Sequence, residues 1–134
     1  MRAVLDPNVL ISALLSRGGR PAQIVSGWLA GDFELVVSAA LLAELRRALS
    51  YPKLRERVSK SEADEFVALL ERGGLLVDDP AKPPRRCADP GDDYLVALAR
   101  KADAHCIVSG DAHLRELTDA SPPVLTPREF LASE

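Results

Sequence analysis

The sequence predicts an α/β domain in which a parallel sheet is covered by helices on both faces. Three observations carry that expectation. The strand-like runs are short and uniformly apolar rather than alternating, as strands buried on both faces are. They alternate with helix-like segments along the chain. And 134 residues are enough to bury one continuous core but not two, so a single domain over residues 1–134 is expected.

The elements follow in order. Ala3-Val4-Leu5 is a β-type run that ends at Asp6. Residues 8–15 and 21–30 read as helices, the second opened by Pro21 in its first turn and closed by Gly31. Residues 33–37 form a second strand, and Ser38 suits the N-cap of a helix reaching about residue 50, with Pro52 beyond it. A helix over 61–72 is expected to start at Ser61, with Asp64 completing a capping-box-like pair, and to stop at Gly73-Gly74. Residues 75–77 are a third strand, and the proline-rich stretch 78–91 is a loop. Helix resumes over 92–102, Ile107-Val108 centre a fourth strand, and a short helix is expected near 113–117. Val124-Leu125 form a fifth strand, after which Thr126-Pro127 cap a last helical turn or two. No repeat, low-complexity tract or linker interrupts the chain.

Hydrophobic residues at 47% and charged residues at 28% are ordinary for a globular protein. No apolar run approaches the roughly 20 residues of a membrane span, and Asp6 arrives too early for a secretory signal, so a cytoplasmic protein is expected. Cys87 and Cys106 are too few for a disulfide scaffold and lack zinc-ligand spacing. Cys106 reads as a small buried residue, and His105 and His113 read as structural. Any metal would therefore be held by oxygen. A net charge of −3 argues against a surface coated for non-specific nucleic-acid binding. It leaves room for a local basic rim from Arg17, Arg20, Arg46 and Arg47, although solvated helix faces account for each. Aromatics at 4% rule out base stacking as the main binding mode.

In parallel sheets of this class ligands bind beyond the carboxyl ends of the strands, where strand order reverses. Acids stand at those places. Asp6 follows the first strand, Asp111 follows the fourth, Glu44 lies on the helix after the second, and Asp92 and Asp93 open the helix before the fourth. Singly, most have a structural explanation: Asp6 as an N-cap, Asp92 and Asp93 as acids favoured by a helix N-terminus, Asp111 in an Asx-turn. Glu44 is different. Helical spacing puts it beside Leu41 and Ala48, at the edge of the stripe that faces the sheet, with Arg46 and Arg47 pointing elsewhere. A carboxylate there needs a partner, and local sequence places no lysine or arginine for it. Converging carboxylates repel one another, and a hard cation such as Mg²⁺ or Mn²⁺ resolves that repulsion. Such an ion can activate water and polarise a phosphoryl group, chemistry suited to phosphodiester hydrolysis.

Four stretches together are recognisable. Val4-Leu5-Asp6-Pro7-Asn8-Val9-Leu10 resembles the opening of PIN-domain ribonucleases, and residues 38–49, with Glu44, resemble their second motif. Residues 89–99, with Asp92 and Asp93, resemble the third, and Ile107-Val108-Ser109-Gly110-Asp111 resembles the fourth. The likeness spans nearly the whole chain and is greatest to VapC-like toxins of toxin–antitoxin pairs. It implies an α/β/α sandwich with the first and fourth strands adjacent at its centre. It implies Mg²⁺ or Mn²⁺ held by Asp6, Glu44, Asp93 and Asp111, with Asn8, Asp92 and Ser109 in support. Asp93 is preferred to Asp92 because it stands four residues before Ala97, as the family's acid does. Pro7 replaces a usual Thr or Ser, and His113 stands where a further acid is common.

The implied activity is endonucleolytic cleavage of RNA. Single-stranded or loop RNA is favoured because A-form duplex hides its base edges. The implied partners are a cognate antitoxin and a second copy of the chain. Trp28 and Leu29, expected to be exposed, and the leucine-rich region 41–70 offer apolar surface for the homodimer. The alternative is a catalytically inactive PIN-like module that binds RNA or protein, which would suit the acidic balance and the two departures; the presence of all four acids counts against it. A receiver-type phosphoacceptor domain would need an acid pair at the first strand end and a lysine after the last strand. A haloacid-dehalogenase-like phosphatase would need Asp at position 8, where Asn8 stands.

Overall fold

The computed structural model describes residues 1–81, 90–111, 114 and 121–133, with the backbone alone for residues 90–92. Its five strands form one parallel sheet in the order β3-β2-β1-β4-β5. The strands are β1 (Arg2–Leu5), β2 (Glu34–Val37), β3 (Leu75–Leu76), β4 (Cys106–Val108) and β5 (Val124–Leu125). Between and after them run α1 (Pro7–Leu15), α2 (Arg20–Leu29), α3 (Ala39–Leu49), α4 (Pro52–Arg55), α5 (Lys60–Gly73), α6 (Pro90–Lys101) and α7 (Pro127–Ala132). This is the three-layer sandwich the sequence implied, with β1 and β4 side by side at the centre.

The core explains the order. Ala3, Val4, Leu5, Val36, Val37, Ile107 and Val108 are wholly buried, as strands sandwiched between helix layers must be. α6 packs on β1 and β4, α5 packs on β2, and α3 packs against α1 and α5. α7 closes the sheet's far side through Phe130, whose ring meets Phe33 edge-on at 5.1 Å. Cys106 is buried in β4 as expected. His105 accepts the Arg2 backbone N–H at Nδ1, 3.0 Å away, and so pins the opposite end of the sheet from the acids.

Several local expectations change. α5 begins one residue early, at Lys60, and its cap moves by two: Ser59 is the N-cap and Glu62 closes the capping box, not Ser61 with Asp64. The reason is the flanking pair. Val58 before the cap and Ala63 four positions into the helix are both buried, at the places where a hydrophobic staple forms, whereas Lys60 and Glu65, the equivalent pair for a Ser61 cap, are exposed. Pro52 does not merely follow a helix; it starts the one-turn α4. α6 starts at Pro90 rather than near 92. Trp28 is buried, only 7% exposed, and Leu29 alone remains open at 57%. The indole lies over Gly73, where a Cβ would come within 2.9 Å of the ring, so that glycine makes room for Trp28 as well as standing last in α5, which stops at Gly73-Gly74 as expected. Gly31, with φ of 89°, does end α2 in the left-handed conformation. Cys87, His113 and most of the short helix expected near 113–117 lie outside the described residues, apart from Leu114, which is fully buried.

Candidate metal centre

The strand order reverses between β1 and β4, and both point their carboxyl ends at one cavity. Its volume is about 480 Å³, and its wall includes Asp6, Asn8, Glu44, Arg47, Tyr94 and Asp111. Three of the acids singled out in the sequence thus share one concavity, although they are remote from each other in the chain.

Asp6 is placed by the sheet. β1 and β4 run in register Leu5↔Val108, and the Asp6 N–H continues the ladder to the Val108 carbonyl at 2.9 Å. The next rung therefore sets Asp6 beside Ser109, whose own N–H reaches Leu125 of β5 at 2.9 Å. Parallel partners on one rung project to the same side, and here they touch: Ser109 Oγ donates to Asp6 Oδ2 at 2.9 Å. The same Ser109 oxygen accepts the Asp111 N–H at 3.0 Å. One wholly buried hydroxyl thereby fixes both a carboxylate and the turn carrying the second acid. Asp6 also serves as the N-cap of α1, its Oδ1 accepting the Asn8 N–H at 3.0 Å, while Pro7 fills the first helical position. Both Asp6 oxygens are thus engaged, Oδ1 by the α1 cap and Oδ2 by Ser109.

Glu44 differs from expectation. It is not held under the sheet but stands at the cavity mouth, its side chain 49% exposed, and it is bonded to Arg47 one turn on. Local sequence does supply its partner, because residues three apart share a helix face. The mutual attraction raises the Arg47 guanidinium above its usual pKa, chiefly through that hydrogen bond. Arg46 points away to Glu71 of α5. Asp93 is buried in α6, only 6% exposed, and does not line the cavity, although its neighbours Tyr94 and Leu95 do. The Asp92 side chain lies outside the described residues.

A further network on the cavity wall has no local signal in the sequence. Tyr94 Oη donates to Asp79 and is bonded to Ser38 Oγ, which in turn caps α3 through the Leu41 N–H at 3.1 Å. Asp79 also accepts the Ala40 N–H at 3.1 Å, and the Lys101 ammonium donates to its carbonyl at 3.3 Å. Burial and the Asp79 hydrogen bond push the Tyr94 hydroxyl up to about 12. Burial raises the Asp79 carboxyl, but bonds from Tyr94, Ser38 and Ala40 outweigh that and leave it below its ordinary value.

The donors are carboxylate oxygens, the type a hard divalent cation takes. Among the described residues no three acidic, histidine or cysteine side chains are gathered closely enough to enclose an ion. Mg²⁺ does not need such a cage. It is commonly held by one or two carboxylates, with waters and substrate oxygens completing its octahedron. Asp6 and Asp111, braced on one serine, fit that pattern.

The chain belongs to the PIN-domain family, whose model matches residues 2–113. An uncharacterized protein of Methanocaldococcus jannaschii, MJ1680, is 25% identical over 140 residues, spanning 98% of this chain and 90% of that protein. The fold is shared with solved structures of low identity. VapBC2 from Rickettsia felis, bound to a DNA fragment from their promoter, matches with TM-score 0.65 at 14% identity, over 94% of this chain and 98% of that one. PAE2754 from Pyrobaculum aerophilum matches with TM-score 0.66 at 14% identity, over 99% and 88%. FitAcB from Neisseria gonorrhoeae matches with TM-score 0.57 at 18% identity, over 94% and 98%. No helix among the described residues is long and apolar enough to cross a membrane.

Proposed function

We propose that this chain is a Mg²⁺- or Mn²⁺-dependent endoribonuclease and the toxin of a toxin–antitoxin pair. The observation that carries the reading is the cavity at the strand-order reversal, faced by Asp6, Glu44 and Asp111. Membership of the PIN family and a fold shared with VapBC2 and FitAcB support it. Asp6 and Asp111 would hold the cation, with Glu44 and an acid of α6, Asp93 by its motif position, completing or relaying to the site. When bound, the cation supplies an activated water and a polarised phosphoryl group. The chain's own residues do the rest. Ser109 keeps Asp6 aimed into the cavity, the Asn8 N–H holds its second oxygen, and the open mouth admits single-stranded or looped RNA. A cognate antitoxin would inhibit by putting a basic side chain among the same carboxylates. Among the described residues Met1, Leu29, Tyr51 and Leu76 are the large apolar side chains left exposed, and they would offer surface for self-association.

The test is cleavage of a labelled single-stranded RNA by purified protein. Cutting with Mg²⁺ or Mn²⁺, arrest by EDTA, and loss of activity in Asp6→Asn, Glu44→Gln, Asp93→Asn and Asp111→Asn are expected. Full activity in a folded Asp6→Asn would remove the central claim. A dead Asp92→Asn beside an active Asp93→Asn would move the α6 acid by one residue.

A further inference from the structure

Among the described residues the charged groups on the cavity wall include one cation, Arg47. It sits one turn after Glu44 on α3, lines the same cavity, and occupies the carboxylate that a divalent ion would take. We propose that Arg47 is an exchangeable cation: it neutralises Glu44 while the site lacks metal, and it turns to an RNA phosphate when a divalent ion takes Glu44. This inference rests on the reading of the cavity as a metal-dependent ribonuclease site.

Three features carry it. The first is balance of charge. Three carboxylates on one wall repel a polyanion, and a divalent ion together with Arg47 offsets them, so that the approach of phosphate is no longer opposed. Without Arg47 the loaded site would keep a net negative charge towards its substrate. The second is freedom. The Arg47 and Glu44 side chains are 64% and 49% exposed, so water competes for both and their exchange of partners is easy. Arg46, one residue earlier, pairs with Glu71 of α5 and does not line the cavity. The third is shape. A guanidinium offers a planar fork that matches two phosphate oxygens, so the group released from Glu44 is suited to the incoming ligand.

Two opposite effects follow, and a merely structural ion pair would not give both. In Arg47→Met, Mn²⁺ titrated by calorimetry without RNA should bind about threefold tighter, because the competing cation is gone. RNA binding should weaken about fivefold to tenfold in the same protein. It is measured with a short single-stranded RNA in Ca²⁺, with intactness checked on a gel. The dependence of log K on log salt should become shallower by about 0.7, the loss of one phosphate contact on a single strand. Arg47→Lys keeps the charge and should retain the wild-type salt slope. Unchanged or weaker Mn²⁺ binding in Arg47→Met overturns the exchange, and so does an unchanged salt slope. Wild-type protein that binds no Mn²⁺ sinks the ribonuclease reading itself, and this inference with it. Wild-type protein that binds Mn²⁺ and cuts RNA, beside an Arg47→Met that matches it in both titrations, sinks this inference alone.

Discussion

Replacing Ser109 by Ala removes a single oxygen from the centre of the molecule, and the consequences can be worked from its two bonds. Ser109 is wholly buried and donates to a carboxylate that is 8% exposed. A hydrogen bond to a charged group contributes about 1.5–3 kcal/mol, and the Asp111 N–H loses its acceptor in the same step. Ser109→Ala should therefore lower stability by about 1.5–3 kcal/mol, a fall of about 5–10 °C in Tm for a domain of this size. Denaturant unfolding with an unchanged slope measures it. Loosened outer support of a metal ligand typically lowers metal affinity about tenfold to a hundredfold, so Mn²⁺ binding should weaken by that much. A double-mutant cycle separates the path. In an Asp6→Asn background the acceptor is neutral and its bond about half as strong, so the Ser109→Ala loss should shrink by about 1 kcal/mol. An equal loss in both backgrounds, or a loss below about 0.5 kcal/mol, would refute the claim that Ser109 acts through Asp6.

Two further outcomes are expected. Tyr94 has its hydroxyl raised to about 12, which stabilises the fold fully below the ordinary tyrosine value and less as pH climbs through about 12. Asp79 is lowered, so its contribution is present above the usual carboxylate range and fades as pH falls through its own value. Tyr94→Phe should abolish a fall of about 1 kcal/mol between pH 10 and 12, after screening of a half-buried group, and chemical denaturation across that range reads it. Gly74→Ala should destabilise by about 1–3 kcal/mol, because its Cβ would meet the Leu70 carbonyl at 2.6 Å and Val37 at 2.7 Å. An alanine variant melting with wild type would show that the α5–β3 junction yields without strain.

Much of this was legible in the sequence for physical reasons. Uniformly apolar strands can only be buried on both faces, and an acid at the end of such a strand has to look out over its carboxyl edge; Asp6 and Asp111 follow from those two facts. Ser38 and Thr126 were readable as caps because their bonds span three residues, Leu41 and Glu129 respectively. The Ser59 cap was missed because two serines compete two residues apart, and burial of Val58 and Ala63, a tertiary fact, decides between them. The Glu44–Arg47 pair was within reach of helical spacing. A helical wheel that turns Glu44 to the edge of the sheet-facing stripe and Arg47 elsewhere hides it, because a long arginine side chain reaches back one turn. Tyr94 bonded to Ser38 and Asp79 had no local trace: the partners are 56 and 15 residues apart and converge only when α6 docks on β1 and β4.

The hydroxyl that steadies Asp6 comes from 103 residues further along the chain, just past the strand that pairs with β1. A ribosome must therefore have delivered β4 before the acid after β1 acquires its brace, and the sheet must have shut around both. Local helices such as α1 and α3 can form early, yet they hold only loose carboxylates until that long-range closure is achieved. A nascent chain that carries Asp6 and Glu44 but has not yet emerged through Ser109 owns half of a site.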